Sequence, residues 1–231
     1  MTMRVLLTGF GPFPGVPENA SARLVEDVAA ELRTRATPAH VHVAILPTEW
    51  DAGLARIDML WDAIAPDLAL HFGVSASARG LTLERLARNA CAPLEDACGC
   101  LPSTAHVSAD APDLHRTELP LSRIEARLLA AGIPAELSDD AGLYLCNGVL
   151  FRSLCRSFAT PGPRLAGFVH IPDGLAGSLT PQQRHGDPVR RTACASALSW
   201  AQAISGACII VDEALSALPL GKLKADNFAK G

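Results

Sequence analysis

The sequence predicts an α/β fold: a single-domain α/β/α sandwich with a mostly parallel twisted sheet and helices on both faces. Three observations predict it. Short apolar runs alternate with helical stretches along the whole chain. The run DLALHF is almost wholly apolar and closed by Gly73, as a strand buried on both faces would be. The chain has 231 residues, of which 49% are apolar and only 5% aromatic, so one core of Leu, Val, Ile and Ala accounts for them.

Taken in order, Arg4 to Phe10 (RVLLTGF) is a β-rich run that enters a loop of Gly and Pro, GFGPFPGVPEN. That loop carries Phe10 and Phe13 where polar residues are usual. From Ala20 to about Arg35, the positions Leu24, Val25, Val28, Ala29 and Leu32 recur at helical spacing. Val41 to Leu46 reads as a strand and Trp50 to Ile64 as a helix. Asp67 to Phe72 is the buried strand, and Leu81 to Ala87 one more strand. Cys91 to Leu114 has no sustained period and is a long loop with room for a short hairpin. Ile124 to Ala131 is helical and stops at Gly132. Pro134 to Ser138 is a short strand, Asn147 to Ala159 a helix, and Leu165 to Ile171 (LAGFVHI) a strand. A final helix starts at Pro188 and runs to about Ile204. The expected domain covers 1–205, with 206–231 as a C-terminal extension that packs on the core or on a neighbouring subunit.

A net charge of −4 gives no reason to expect a nucleic acid partner. No apolar run is long enough to span a bilayer, so no membrane partner is expected. The start, MTMRVLLTGFGPF, is too short an apolar stretch for a secretory signal. Seven cysteines, an odd number, then suit a reducing, cytoplasmic location rather than a disulfide framework.

In open α/β sheets, ligands bind beyond the carboxyl ends of the strands. Cys146 precedes a predicted helix, where unpaired N–H groups and the helix dipole favour a thiolate and could hold an oxyanion. By position alone, a small buried hydrophobe is the commoner role for a free cysteine. His170 lies near the end of an apolar strand. It is either a core histidine bonded to a carbonyl or a general base for a thiol. Glu84 is either an ion-pair partner of Arg85 or Arg88, or the carboxylate that fixes a catalytic ring. Cys98, Cys100, Cys91, His106 and His115 cluster, but their spacing fits no familiar zinc pattern, so neither a metal nor a cofactor is expected. His40 and His42 share one side of a strand, as on a solvated edge.

Several segments together resemble one known family. DDAGLYLCNGVLFRSL is similar to the nucleophile segment of the pyroglutamyl peptidase I (pyrrolidone-carboxylate peptidase) family of cysteine peptidases, in which Ala-Gly-x-Tyr-x-Cys-Asn is typical. GFVHIP resembles the family's histidine segment, HFGVSASARGLTLERLARN its glutamate segment, and TGFGPFPGVPENAS its Phe-rich loop. LPLSRIEARLLAAGIPAELSDDAG and SLTPQQ also read like family sequence. The resemblance implies a cysteine omega-peptidase that removes N-terminal pyroglutamate from peptides by acyl transfer. Cys146 would be the nucleophile, His170 the acid and base, and Glu84 the residue that orients the ring. Phe10 and Phe13 would line the lactam pocket. Many members have Gly-Gly-Arg where this chain has Ala76, Ser77 and Ala78, so Arg79, one position later, is the candidate to replace that oxyanion-stabilising arginine. Losing such a donor costs about 10²–10³ in rate. A binding protein without turnover is therefore an alternative, as is a cysteine hydrolase of another small terminal or cyclic amide. The family often forms homo-oligomers, so the resemblance allows an assembly without requiring one.

Overall fold

Alternating faces along each strand organise the protein, which is described by a computed structural model over residues 2–35, 39–178 and 198–218. In chain order the elements are β1 (Met3–Phe10), α1 (Ala20–Thr34), β2 (Ala39–Leu46), α2 (Trp50–Ile64) and β3 (Leu68–Ser75). Then come β4 (Leu81–Glu84), β5 (Leu86–Arg88), β6 (Leu114–Arg116), α3 (Leu121–Ala130) and β7 (Ala135–Ser138). The last are α4 (Leu145–Ala159), β8 (Leu165–Pro172), a 3-10 turn (Asp173–Ser178) and α5 (Trp200–Ala217). Six strands form one sheet in the order β2-β1-β3-β8-β4-β7. Neighbours pair parallel except β4 with β8, so β4 and β7 run against the rest.

On one face, Val5, Leu7, Leu68, Leu70, Phe72, Leu81, Leu83, Val169 and Ile171 pack against α1, α3 and α5. On the other, Leu6, Phe10, Ala69, Ala166 and Phe168 meet α2 and α4. Successive strand residues point to opposite faces, so His71, Gly73, Thr82, Glu84 and His170 all lie on the α2/α4 side. Burying each large side chain of these layers contributes about 1.5–3 kcal/mol, which fixes that alternation firmly.

Four expectations need correction. The run from Leu81 to Ala87 is not one strand. It breaks after Glu84, where Arg85 turns outward to pair with Asp139, and β5 leaves to form a two-stranded sheet with β6. The long loop thus has its pairing at its two ends, not as a hairpin within it. Helix α4 starts at Leu145, two residues early, which puts Cys146 inside the first turn. The last helix begins at Trp200, where Ser199 and Gln202 form a capping box, and it runs through residue 206 to Ala217. Ala207, Cys208, Ile210, Val211 and Ala214 bury in the first core layer. The helix expected from Pro188 to residue 197, and most of SLTPQQ, lie outside the described residues. His40 and His42 are exposed on the edge strand β2. Among the described residues, no helix is long and apolar enough to cross a membrane.

Candidate active site

The register of β8 with its two neighbours builds the site. His170 faces Gly73 of β3 and Thr82 of β4, while Glu84 faces Phe168. Glu84 is therefore the diagonal neighbour of His170 on the same face, and His170 Nδ1 donates to Glu84 Oε1 at 2.8 Å. Glu84 is 1% exposed, and its Oε2 has no hydrogen-bond partner among the described residues. A buried carboxylate so placed needs the adjoining ring to balance its charge. Phe168 packs against the ring from below, with centroids 4.8 Å apart.

Cys146 arrives from the opposite layer, at the start of α4. Its sulfur stands close enough to His170 to act on the ring's charge, and with Nδ1 taken by Glu84 the ring has Nε2 left to serve it. Burial alone would lower the His170 pKa. The Cys146 sulfur, by charge and hydrogen bond, and then Glu84 outweigh burial and raise it from 6.5 to about 10. The sulfur fits only because β3 carries glycine at position 73: a Cβ there would stand 3.0 Å from Cys146 Sγ and 2.8 Å from Phe168 Cζ. The first bond inside α4 runs from Gly148 N to Tyr144 O at 3.1 Å. The N–H groups of Leu145, Cys146 and Asn147 therefore have no partner within the helix.

A cavity of about 70 Å³ adjoins Cys146, lined by Phe10, Phe13, Asn19, Thr48, Val74, Tyr144 and Leu145. Its wall is set by a tight turn: Phe13 and Val16 exchange backbone hydrogen bonds at 3.1 and 2.8 Å. Gly11 O accepts from Asn19 Nδ2 and Thr48 Oγ1, both at 3.1 Å. A larger cavity of about 190 Å³ lies between α2, α4 and residues 102–107. Size favours it, but none of Cys146, His170 and Glu84 lines it, so the chemistry belongs to the smaller one.

Five of the six residues singled out from sequence thus converge: Cys146, His170 and Glu84 touch in series, and Phe10 and Phe13 wall the adjoining cavity. Arg79 does not join them. It is exposed, its Nη1 donates to Ala76 O at 3.1 Å and Ala78 O at 3.4 Å, and it is not part of the cavity lining. Ala78 is buried.

Other residues had no role assigned from sequence. Asn147, 1% exposed, clamps the chain after β5: Oδ1 accepts from Arg88 N, and Nδ2 donates to Arg88 O and Ala90 O. Asn89 holds the long loop through Ser108 and Ala111. Both lie in the quoted segments, so the motif was in view and only the bonds were not. His71, within the apolar run, is wholly buried, with Nδ1 2.7 Å from Thr8 Oγ1 and Nε2 2.7 Å from Ser153 Oγ. Burial pushes its pKa down to about 3, so it is a neutral structural ring. Among the described residues, no group of three or more His, Cys, Asp or Glu is arranged to hold a metal ion.

Comparison with known proteins agrees with this layout. A family model described as pyroglutamyl peptidase matches residues 3–205. The pyrrolidone-carboxylate peptidase of Pyrococcus furiosus is 33% identical over 171 residues, covering 74% of this chain and 81% of the relative. That of Streptomyces coelicolor is 37% identical over 192 residues, covering 77% and 85%. Among solved structures, a variant of the P. furiosus pyrrolidone carboxyl peptidase superposes with TM-score 0.77 at 28% identity, covering 93% of this chain and 99% of that one. Pyroglutamyl peptidase I of Bacillus amyloliquefaciens gives TM-score 0.77 at 26% identity, covering 93% and 97%.

Proposed function

The chain belongs to the pyroglutamyl peptidase family, and on that premise we propose that it is a cysteine omega-peptidase removing N-terminal pyroglutamate from peptides. The observation that carries the reading is the series Glu84–His170–Cys146, with the sulfur at an open helix start beside a Phe-walled cavity. The lactam ring lies between Phe10 and Phe13, where flat apolar walls suit its faces. Cys146 attacks the pyroglutamyl carbonyl as a thiolate paired with the His170 imidazolium. Negative charge on the carbonyl oxygen is met by the unpaired N–H groups of the first turn of α4. His170 then donates its proton to the departing amine, and the neutral ring takes a proton from the water that hydrolyses the thioester. Glu84 holds Nδ1 and stabilises the charged ring throughout.

With the Arg79 guanidinium engaged by its own loop, the helix-start amides carry the oxyanion in this reading, and slower turnover than in arginine-bearing relatives follows. That same feature favours the second reading, a protein that binds pyroglutamyl peptides without cleaving them. Six free cysteines among the described residues support a reducing, cytoplasmic setting, and assembly into a homo-oligomer is proposed on family grounds.

Hydrolysis of pyroglutamyl-aminomethylcoumarin by the pure protein tests the reading. Cys146→Ala is expected to abolish it and Cys146→Ser to leave at most a trace. Turnover retained by Cys146→Ala removes Cys146 as nucleophile. Binding of the substrate by wild type without release of coumarin favours the second reading. Faster release from prolyl or glutaminyl amides reassigns the substrate.

A further inference from the structure

The activity leaves one pair of reactive groups unused. Cys98 and Cys100 are both exposed and separated by Gly99 alone. The backbone between them is sharply bent. Gly99 takes φ +76°, a conformation that favours glycine, and its N–H donates to Asp96 O at 3.0 Å. Asp96 Oδ1 draws in the N–H groups of Cys98 and Cys100, each at 2.9 Å, and Asp96 N donates to Cys100 O at 2.9 Å. Two Cα steps of about 3.8 Å, bent in this way, bring the cysteine Cα atoms into the roughly 4.4–6.8 Å range that a disulfide bridges.

The same segment is fastened to the walls of the cavity beside Cys146. Ala97 N donates to Thr48 O at 2.9 Å, and Tyr144 Oη donates to Glu95 O at 3.2 Å. Trp50 Nε1 donates to Leu94 O, and Trp50 N, at the start of α2, donates to Asp96 Oδ2, both at 2.9 Å. Thr48 and Tyr144 line that cavity. Glu49, the N-cap residue of α2, has no side-chain capping bond, so the Asp96 carboxylate serves both the helix start and the cysteine turn.

We propose that Cys98 and Cys100 are a site of reversible thiol–disulfide exchange with small disulfides of the glutathione class, and that closing their bond loosens the cavity wall beside Cys146. In the first step one cysteine thiolate attacks a sulfur of the oxidant and expels one thiolate. The second cysteine thiolate then attacks the mixed disulfide and expels the other. Two protein thiols become one disulfide, the oxidant becomes two thiols, and the two protons pass to the leaving thiolates. Glu49 stands beside Cys98, and its carboxylate pushes that thiol's pKa up. Drawing the sulfurs to about 2.05 Å turns the peptide planes on either side of Gly99. Those planes carry the N–H groups of Gly99 and Cys100, which Asp96 holds through its backbone O and its Oδ1, so the carboxylate loses its Cys100 bond, and its hold on Trp50 N, at the start of α2 two residues after Thr48, weakens. This second step rests on the cavity being the substrate site; the disulfide itself does not.

Mass mapping of Cys146→Ser, equilibrated in glutathione buffers and digested without reductant, tests the site without any activity. The expected product is an intramolecular bond between Cys98 and Cys100; glutathione adducts alone, or untouched thiols, overturn the proposal. On the same sample, hydrogen exchange at residues 48–50 and 144–146 is expected to quicken on oxidation, and unchanged exchange overturns the coupling. In the active protein, oxidation is expected to raise KM by about 2- to 10-fold, the factor of one lost hydrogen bond. Dithiothreitol reverses it, and the double variant Cys98→Ser/Cys100→Ser lacks it. A fall in rate that the double variant shares belongs to Cys146 and counts against the proposal. Absence of cleavage by fully reduced wild type refutes the peptidase reading and leaves the mapping and exchange results to decide this one.

Discussion

Glu84→Gln keeps the shape of the side chain and an acceptor for His170 Nδ1, and removes only the charge. The ring pKa stands at about 10 against an ordinary 6.5, a preference for imidazolium of roughly 5 kcal/mol at about 1.4 kcal/mol per pH unit. Burial opposes that preference. Cys146 leads the groups that supply it and Glu84 follows, so the Glu84 charge accounts for less than half, on the order of 1–2 kcal/mol. The sign follows from the direction. A histidine with a raised folded pKa keeps its proton, and the stability that comes with it, below pH 6.5, and loses both as pH rises through about 10. The alkaline limb of kcat/KM is therefore expected near pH 10 in wild type and about one pH unit lower in Glu84→Gln.

At neutral pH the Gln variant still holds a charged, oriented ring, so kcat/KM there should fall by less than about 10-fold. Glu84→Ala also leaves Nδ1 without an acceptor, and a loss of about 10² or more is expected. The assay is the pH profile of pyroglutamyl-aminomethylcoumarin hydrolysis for the three proteins, with circular dichroism to confirm that each is folded. An alkaline limb that stays in place in Glu84→Gln would refute the argument that this carboxylate acts through the charge of the ring.

Three further outcomes follow from single contacts. Gly73→Ala puts a methyl 3.0 Å from Cys146 Sγ and 2.8 Å from Phe168 Cζ; a displacement near 1 Å costs about 10² in kcat, and a variant with full activity would show that the sulfur is not held against β3. Asn147→Ala unpairs Arg88 N, Arg88 O and Ala90 O in a half-buried place, for a loss of about 1–3 kcal/mol; an unchanged urea midpoint would contradict the clamp. His71 should stay neutral by NMR at pH 5, because its folded pKa is about 3. Stability from this group is whole above about 6.5 and is lost as pH falls toward 3, at up to about 1.4 kcal/mol per pH unit; titration of the ring near 6.5 would overturn it.

Much of this fold was legible because it rests on local patterning. The alternation in RVLLTGF, DLALHF and LAGFVHI marks strands whatever surrounds them, and α1 and α2 match their expected ranges to within a residue. Strand direction was not legible. Nothing in LTLE says that it lies antiparallel to LAGFVHI, since direction is settled by crossover connections and by the packing of distant helices. The helix start at Trp200 was not marked, because Pro188 is the more conspicuous first residue and the capping box at Ser199 a quieter signal; residues 188–197 lie outside the described residues. Cys146, His170 and Glu84 were candidates by position alone, each beside a blander role, and it was their joint resemblance to one family that put them into one site. Arg79 was chosen by adjacency in sequence, and its own carbonyls claim it. Gly73 gave no signal, because its part in the site is to have no side chain where a sulfur from another layer must fit.

The way the core is packed also protects the aim of the site. Leu81 and Leu83 face the α1/α5 layer, and Thr82 and Glu84 face the opposite one. A slip of β4 by one residue against β8 would exchange these sets. Glu84 would then enter a layer of Leu, Val and Ile with no ring to meet it, and an unpaired buried charge costs several kcal/mol. The two leucines would be turned toward His170, leaving voids in the layer they now fill, at about 2–5 kcal/mol each. These terms have the same sign, so the register that packs the sheet is also the register that sets Glu84 diagonal to His170. Substituting Leu83 by a polar residue should therefore disturb the His170–Glu84 bond as well as stability, although Leu83 lies on the far face of the sheet from the active site.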